Sequence, residues 1–298
     1  MHPVTTEILL MLGLIGSACA QARPCLHPNC FREQAACAAY LAQREIDRAE
    51  TACTICLKYS PDDPACLNDL GLVWYLRGVD DKARALYQQA LRSNPDFAQP
   101  YNNLGRLALD RSDYDKARRL FATAVRMNPA FFDALYNLAL TDLRQGQQRF
   151  ARGGGAPAGD QRLGDALANL TDAERSYREL IELAPDDVRG FADMGVVESF
   201  RAEMAPTGER RLSALARAEI WYLGCLQLQP AHVECHGNLA QLYLGSGRCE
   251  EAVRHLTRCL EIDPANLICR QVLAPATGCA RAQAAARSSA GSAGSGTP

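Results

Sequence analysis

Residues 67–95 read LNDLGLVWYLRGVDDKARALYQQALRSNP, and residues 101–129 repeat the pattern as YNNLGRLALDRSDYDKARRLFATAVRMNP. Corresponding positions are 34 residues apart: Gly71 corresponds to Gly105, Tyr87 to Phe121, and Pro95 to Pro129. A fixed period of this length indicates stacked supersecondary units, each too small to bury its own apolar face. This stretch therefore decides the fold, and the remaining chain is read in its frame.

Each copy predicts two amphipathic helices. Apolar residues recur every three or four positions within each half, as in Leu67, Leu70 and Trp74, which is the spacing of one helix face. Gly71 is small because two helices cross closely there, and Pro95 ends the copy because proline cannot continue a helix interior. Each copy is thus a helical hairpin.

The 34-residue order of Leu-Gly, aromatic, Ala, aromatic, Ala and Pro resembles the tetratricopeptide repeat (TPR). The resemblance implies an all-α, right-handed superhelical solenoid of about six TPR helical hairpins plus a C-terminal capping helix. The terminal prolines divide the chain into six repeats, at 30–63, 64–97, 98–131, 132–187, 188–232 and 233–266. We expect the capping helix at 267–287, interrupted near Pro275, and a disordered Gly/Ser tail at 288–298.

Repeats four and five are longer than the others, by 22 and 11 residues. Both insertions fall between the two helices of a repeat. The first contains the glycine-rich segment 153–159, and the second contains Ala205-Pro206-Thr207-Gly208, a turn signal. Each is either part of a partner site or a tolerated surface loop.

Composition limits the function classes. The 298 residues carry a net charge of −2 and no basic stripe, so nucleic acid is not an expected partner. Thirteen cysteines are too many for an ordinary cytosolic scaffold and indicate an oxidising compartment such as the bacterial periplasm.

The N-terminus predicts a signal peptide at 1–18. Ile8–Ile15 is a short apolar run, and the following Gly16-Ser17-Ala18-Cys19 resembles a bacterial lipobox. In that reading Cys19 is the acylated first residue of an outer-membrane lipoprotein, and residues 19–29 form a tether. A cut after Ala20 is the alternative, and it gives a soluble periplasmic or secreted protein.

In the repeat frame the cysteines form pairs. Three pairs share a ten-residue spacing across the seam between antiparallel helices, and we assign them as Cys56–Cys66, Cys225–Cys235 and Cys259–Cys269. The same antiparallel register predicts a fourth disulfide, because Cys249 lies ten residues before Cys259 and Cys279 lies ten residues after Cys269. Cys37 and Cys53 lie on the two facing helices of repeat one and form a fifth candidate pair, which leaves Cys25 and Cys30 to close a small ring; the sequence leaves the pairing of these four cysteines open. Each bridge contributes roughly 3 kcal/mol on the loop-entropy account.

No catalytic motif, phosphate loop or zinc-protease helix occurs in the sequence, so we expect neither an enzyme nor a cofactor. His232 and His236 are four residues apart but have no evident third ligand. We expect a solvent-facing pair rather than a metal site.

The first helices of a TPR array line its concave face, which implies a partner-binding groove. We call its predicted members the groove set: Asn68, Leu72, Tyr75, Asn102, Arg106, Leu109, Tyr136, Leu140, Leu143 and Val196. Its apolar members are large for a surface meant only for water, although Leu140 and Leu143 are also candidates for the core between repeats. Asn103, Asn137 and Asn238 recur at one further position, where TPR asparagines often hold a peptide backbone.

A lipoprotein signal followed by about six TPRs resembles the pilotins of type IV pilus systems, which help secretin subunits to assemble in the outer membrane. The resemblance implies a lipid-anchored periplasmic scaffold whose partner is a segment of an envelope protein, such as a secretin subunit. The alternatives are a scaffold of another envelope machine, or a metal-binding or enzyme-accessory protein.

Overall fold

The structure is a computed structural model that describes residues 28–152, 161–205 and 208–293. These residues contain thirteen α-helices and no strand. In chain order they are α1 (Pro28–Ala42), α2 (Ile46–Tyr59), α3 (Pro64–Leu76), α4 (Asp80–Ser93), α5 (Ala98–Asp110), α6 (Tyr114–Met127), α7 (Phe132–Arg152), α8 (Gln161–Leu183), α9 (Val188–Met204), α10 (Glu209–Leu228), α11 (Val233–Gly245), α12 (Cys249–Ile262) and α13 (Leu267–Ala293). The predicted all-α repeat fold is confirmed.

The chain divides into two compact units between Thr141 and Asp142. In the first unit, α1 packs on α2, α3 on α4, and α5 on α6, and each hairpin also contacts the next one. In the second unit, α9 packs on α10 and α11 on α12, while α13 covers the last hairpin. Each unit buries a core of small and large apolar side chains between its helices.

A buried aromatic ring lies against a glycine inside several hairpins. A Cβ added at Gly71 would lie 2.6 Å from Cε1 of Tyr87, and one added at Gly105 would lie 2.6 Å from Cε1 of Phe121. Both rings are fully buried, so they have no free space into which to move. Glycine is therefore required here for the close approach of the two helices.

The turns inside the standard hairpins share one backbone conformation. Arg44, Gly78 and Ser112 have φ values of 58°, 74° and 57°, and they follow one another at the 34-residue period. The left-handed region suits glycine and is uncommon for other residues. The repeat therefore fixes the turn geometry even where the residue is not glycine.

Five disulfides lie in the two units: Cys37–Cys53 and Cys56–Cys66 in the first, and Cys225–Cys235, Cys249–Cys279 and Cys259–Cys269 in the second. Four of them are the pairs that the antiparallel register predicts, and Cys37–Cys53 joins two of the four cysteines whose pairing the sequence leaves open. Cys30 is also disulfide-bonded, whereas Cys25 of the predicted Cys25–Cys30 pair lies outside the described residues, as does Cys19.

The three ten-residue bridges share a second feature. The second cysteine of each lies in the first turn of a helix, where its backbone N–H donates to the side chain that caps the helix. The backbone N–H of Cys66 donates to Asp63 Oδ1 at 2.9 Å, and that of Cys269 donates to Asn266 Oδ1 at 3.0 Å. In the third bridge the Cys235 N–H donates to Nδ1 of His232 at 3.3 Å. Each bridge is thus attached where capping already fixes the helix start.

Two sequence predictions for the ends of the chain need correction. The capping helix runs from Leu267 to Ala293 without a break at Pro275, and so enters the segment 288–298 that was expected to be disordered; residues 294–298 are outside the described part. Cys269 and Cys279 tie the helix to α12 on both sides of Pro275, and Ala276 is fully buried. This anchoring holds the helical path despite the missing proline N–H.

At the other end, α1 begins at Pro28, two residues before the predicted start of repeat one. The glycine-rich segment 153–159 and Pro206-Thr207 lie outside the described residues. Across 28–152, 161–205 and 208–293, none of the helices has both the length and the apolar character of a membrane span.

The expectation that His232 and His236 face solvent is wrong for His236, which is 7% exposed. Its Nδ1 lies 2.9 Å from Nδ1 of His255, and its Nε2 lies 3.1 Å from the carbonyl oxygen of Pro230. A carbonyl can only accept, so Nε2 carries the proton. The neutral His236 then accepts at Nδ1 from His255.

Burial is the main cause that lowers the pKa of both His236 and His255. Nearby cations lower both pKa values further, Arg258 acting on His236 and Arg254 on His255. The His236 ring also lowers the pKa of His255, and the His232 ring lowers that of His236. In the other direction, Glu251 and Glu219 raise the pKa of His255, and the Pro230 carbonyl raises that of His236.

We predict that Gly105→Ala destabilises the first unit by about 1–3 kcal/mol, the usual cost of overpacking. The added methyl group meets the buried Phe121 ring. Urea denaturation of the full chain measures the loss. Gly164→Ala is the matched control, because a Cβ there meets nothing within 4 Å, and its midpoint should not fall. Equal midpoints for the two variants would contradict the packing argument.

We also predict that stability falls as the pH drops below the ordinary histidine pKa of about 6.5. The folded state lowers both histidine pKa values, so the unfolded chain binds more protons in this range and acid favours it. His255→Gln keeps a donor for His236 but removes one titrating ring, so its urea midpoint should fall less between pH 7.5 and pH 5. An unchanged pH dependence in this variant would exclude the histidine pair as the cause.

Candidate functional site

The groove set divides into buried and accessible members. In the first unit Asn68, Asn102 and Leu109 are 5%, 6% and 8% exposed, so they belong to the packed interior. Partly exposed members in this unit are Leu72, Tyr75, Arg106, Tyr136 and Leu140, although Leu140 packs against the core around Phe121. The accessible surface is therefore narrower than the sequence indicates.

The asparagines connect successive first helices to one another. Asn103 Nδ2 donates to Asn68 Oδ1 at 2.9 Å, and Asn137 Nδ2 donates to Asn102 Oδ1 at 2.9 Å. Asn68 also donates to Asp69 Oδ1 at 3.2 Å. These amides hydrogen-bond to one another between successive repeats, so they stabilise the stacking of the repeats. Any role toward a partner is additional to this structural one.

Tyr75, a partly exposed member of the groove set, contacts two charged side chains. Its hydroxyl donates to Asp110 Oδ2 at 2.9 Å, and the Arg106 guanidinium lies 4.7 Å from the centre of its ring. Burial raises the pKa of the Tyr75 hydroxyl, with Arg106 acting in the opposite direction. An aromatic ring, a cation and an acid are thus held together across the α3–α5 seam.

Asp69, which accepts a hydrogen bond from Asn68, has a perturbed carboxyl group. Burial raises the pKa of its carboxyl group to about 7, against the hydrogen bond from Asn68 and together with the charge of Asp63. The group is therefore partly protonated near neutral pH. It lies on the same helix as Tyr75, α3.

In the second unit, Leu143 is 3% exposed and buried, whereas Val196 is partly exposed. Val196 lies at the wall of a pocket of about 360 Å³ formed by α7, α9, α10 and α11. The pocket floor carries a hydrogen bond of 3.2 Å between Ser199 Oγ and the Tyr222 hydroxyl. The sequence predicts Val196 at this surface but does not predict the pocket, whose sequence signal is the 11-residue insertion in repeat five.

A second, more apolar pocket of about 540 Å³ lies where both insertions meet. Leu163 and Leu167 of α8 face Met204, Ala205 and Ala214 there, and Arg201 and Arg217 lie at its edge. The two arginines bind the buried Glu198 at 3.0 and 2.9 Å. These contacts pair the charges of Arg201 and Arg217 inside the protein, while Glu209 and Arg210 add one charge of each sign to the pocket lining.

Two groups of side chains have the spacing of metal ligands, Cys30 with Cys56 and Cys66, and Cys225 with His232 and Cys235. All five of these cysteines are in disulfides, and a disulfide sulfur is not the thiolate that a metal requires. His232 uses its Nδ1 to cap α11. The residues therefore do not fit the metal-binding alternative in the oxidised protein.

Family models for the tetratricopeptide repeat match residues 38–97, 102–148 and 233–266. No curated protein sequence matches the chain. The matched segments include the first copy of the 34-residue pattern, 67–95, and residues 102–129 of the second.

Several solved structures share the fold. PilF of Pseudomonas aeruginosa is 14% identical with a TM-score of 0.63, over 83% of this chain and 97% of that one. PilW, described as a widely conserved type IV pilus biogenesis factor, is 15% identical with a TM-score of 0.64, over 83% and 99%. TTC0263, a TPR protein of Thermus thermophilus, is 23% identical with a TM-score of 0.53, over 72% and 98%. The family models therefore show tetratricopeptide repeats in these three segments of the chain, and the solved structures share its fold.

Proposed function

We propose that this protein is an interaction scaffold that captures a segment of another protein on the accessible members of the groove set. The observation that carries the proposal is the arrangement of Tyr75, Arg106 and Asp110 on two successive first helices. Tyrosine and arginine are the residues that most often dominate protein interfaces. Tyr75 offers a rigid ring, and its neighbours offer one charge of each sign for orientation.

The compartment that we propose is the bacterial cell envelope. Every cysteine among the described residues is in a disulfide, and disulfides of this density persist in oxidising compartments. The likeness to PilW, a type IV pilus biogenesis factor, supports the same location. At 15% identity this likeness shows the shared fold. The envelope location is therefore proposed from the likeness and the disulfides taken together.

More specifically, we propose a lipid-anchored scaffold on the periplasmic face of the outer membrane. In this proposal Cys19 is acylated and the partner is a secretin subunit of a type IV pilus system, which makes the protein a pilotin. Residues 1–27 lie outside the described part of the chain, so the anchor rests on the lipobox resemblance. A scaffold of another envelope machine would use the same surface.

Replacing Tyr75 and Tyr136 together with serine should weaken partner binding by about 2 kcal/mol, the scale of an interface hot spot. The partner is first recovered by crosslinking from outer membranes, and its affinity for purified wild-type and variant protein is then titrated. Tyr59→Ser, which removes an exposed tyrosine from a second helix, is the control and should bind normally. Equal binding by the double variant would mean that this surface is not the site.

The mature protein should begin at an acylated Cys19. Intact mass and partitioning into detergent are the measurements, and Cys19→Ser should abolish both the added mass and the partitioning. A water-soluble product that begins at Gln21 would contradict the lipid anchor while leaving the scaffold proposal intact.

A further inference from the structure

We infer that Cys30, Cys56 and Cys66 form a centre for thiol–disulfide exchange, in which a released Cys30 thiol opens the Cys56–Cys66 bond. The sulfur of Cys30 lies 2.9 Å from the sulfur of Cys56, and the sulfurs of all three residues lie within 4.8 Å of one another. The reactant that starts the exchange is a reducing thiol, either a small molecule or a cysteine of another protein. This inference is independent of the scaffold function proposed above.

The ends of three helices bring these sulfurs together. Cys30 lies in the first turn of α1, Cys56 in the last turn of α2 and Cys66 in the first turn of α3. Each of these helices contacts the other two, and all three cysteines are fully buried. A thiol in solution therefore cannot reach the Cys56–Cys66 bond directly while the unit is folded. The sulfur of Cys30, by contrast, is already in contact with that bond.

The exchange is chemically balanced. Cys30 is itself held in a disulfide, so a reducing thiol must first attack the other sulfur of that bridge, which expels Cys30 as a thiolate. Sγ of Cys30 then bonds to Sγ of Cys56, the Cys56–Cys66 bond breaks, and its electron pair leaves with Cys66, which takes up a proton. A second thiol resolves the mixed disulfide formed in the first step. The two reducing thiols end as one disulfide, and the chain holds two free thiols, one of them at Cys66.

The helix ends favour this direction of attack. The N-terminus of a helix stabilises a thiolate and the C-terminus opposes it, so Cys30 and Cys66 are better placed to carry the charge than Cys56. Exchange is faster when the departing thiol has the lower pKa, which makes Cys66 the leaving group. Burial opposes the charge on all three sulfurs, and the Asp63 carboxylate, which accepts from the Cys66 N–H at 2.9 Å, opposes it further on Cys66. We therefore expect both bridged forms to be present at equilibrium.

The other two ten-residue bridges, Cys225–Cys235 and Cys259–Cys269, provide an internal comparison, and we call them the reference bridges. Each also joins the last turn of one helix to the first turn of the next. Within the described residues, His232 lies close to the first of them, and no third cysteine lies with either. An imidazole cannot take the place of a sulfur in the exchange, so the reaction should be confined to the Cys56–Cys66 bridge.

The first test frees Cys30 without adding a reductant. The five described bridges use ten of the thirteen cysteines, so the bridge of Cys30 is made with Cys19 or Cys25. The double variant Cys19→Ser/Cys25→Ser of the full chain therefore leaves Cys30 without its partner. The protein is quenched in acid, its free thiols are alkylated in denaturant at low pH, and the peptides are mapped without reduction. About a tenth of the chains or more should carry a Cys30–Cys56 bridge with an alkylated Cys66, while the reference bridges stay intact.

The second test follows the exchange in the wild-type chain. A limiting amount of dithiothreitol should yield alkylated Cys66 together with the Cys30–Cys56 bridge before the reference bridges are reduced. The matched triple variant carries Cys30→Ser in addition to the two serines of the double variant, so it lacks the internal thiol. Its Cys56–Cys66 bond should be reduced at least tenfold more slowly than that of wild type. Circular dichroism verifies that both variants are folded.

Other outcomes overturn the inference. If every chain of the double variant shows an alkylated Cys30 and an intact Cys56–Cys66 bond, the contact between the sulfurs does not lead to exchange. Equal rates of Cys56–Cys66 reduction in wild type and in the triple variant would mean that Cys30 is not the attacking group. Loss of the reference bridges at the same rate as Cys56–Cys66 would mean that unfolding exposes all of these bonds. Partner binding enters none of these measurements, so each of these results leaves the scaffold proposal intact.

Discussion

The contact between a glycine and an aromatic ring is the constraint on which the hairpins depend. Gly71 meets Tyr87, Gly105 meets Phe121 and Gly195 meets Tyr222, each within one hairpin. Because the ring occupies the space of a missing side chain, the distance between the two helices is set by one pair of residues. In the last hairpin, alanine and leucine replace glycine and the ring, as Ala240 and Leu256, both fully buried in one core. The larger alanine faces a smaller leucine, so the two helices of this hairpin still pack together.

The seams between hairpins depend on a different principle at the two ends of the chain. A terminal repeat has a neighbour on one side only, so it buries less apolar surface than an internal repeat. The described disulfides all lie in α1–α3 and α10–α13, while no cysteine occurs between Cys66 and Cys225. Covalent closure lowers the entropy of the unfolded chain where packing stabilises least. The internal repeats, supported on both sides, carry the first insertion and most of the groove set.

The sequence was sufficient for the hairpins and for four of the described disulfides, because both follow from a fixed period. It was less informative about which polar and apolar residues are accessible. Asn68 and Asn102 are buried because they bond to amides one repeat further on, a contact that depends on how repeats stack. His236 is buried for a different reason, because its partner His255 lies on the other helix of its own hairpin. The pocket was missed because an insertion has no counterpart in the repeat frame, and only the structure shows how its extra turns are placed.

Two residues of the pocket, Tyr222 and Asn238, face each other in the same antiparallel register as the bridged cysteines beside them. Tyr222 lies three residues before Cys225, and Asn238 lies three residues after Cys235. On antiparallel helices, equal steps outward from a bridged pair lead to facing positions, so the Cys225–Cys235 bond also brings Tyr222 and Asn238 together. The hydrogen-bonded floor of the pocket is therefore held by a covalent bond one turn away. The bridge that closes the seam between repeats five and six thus also fixes the geometry of this pocket.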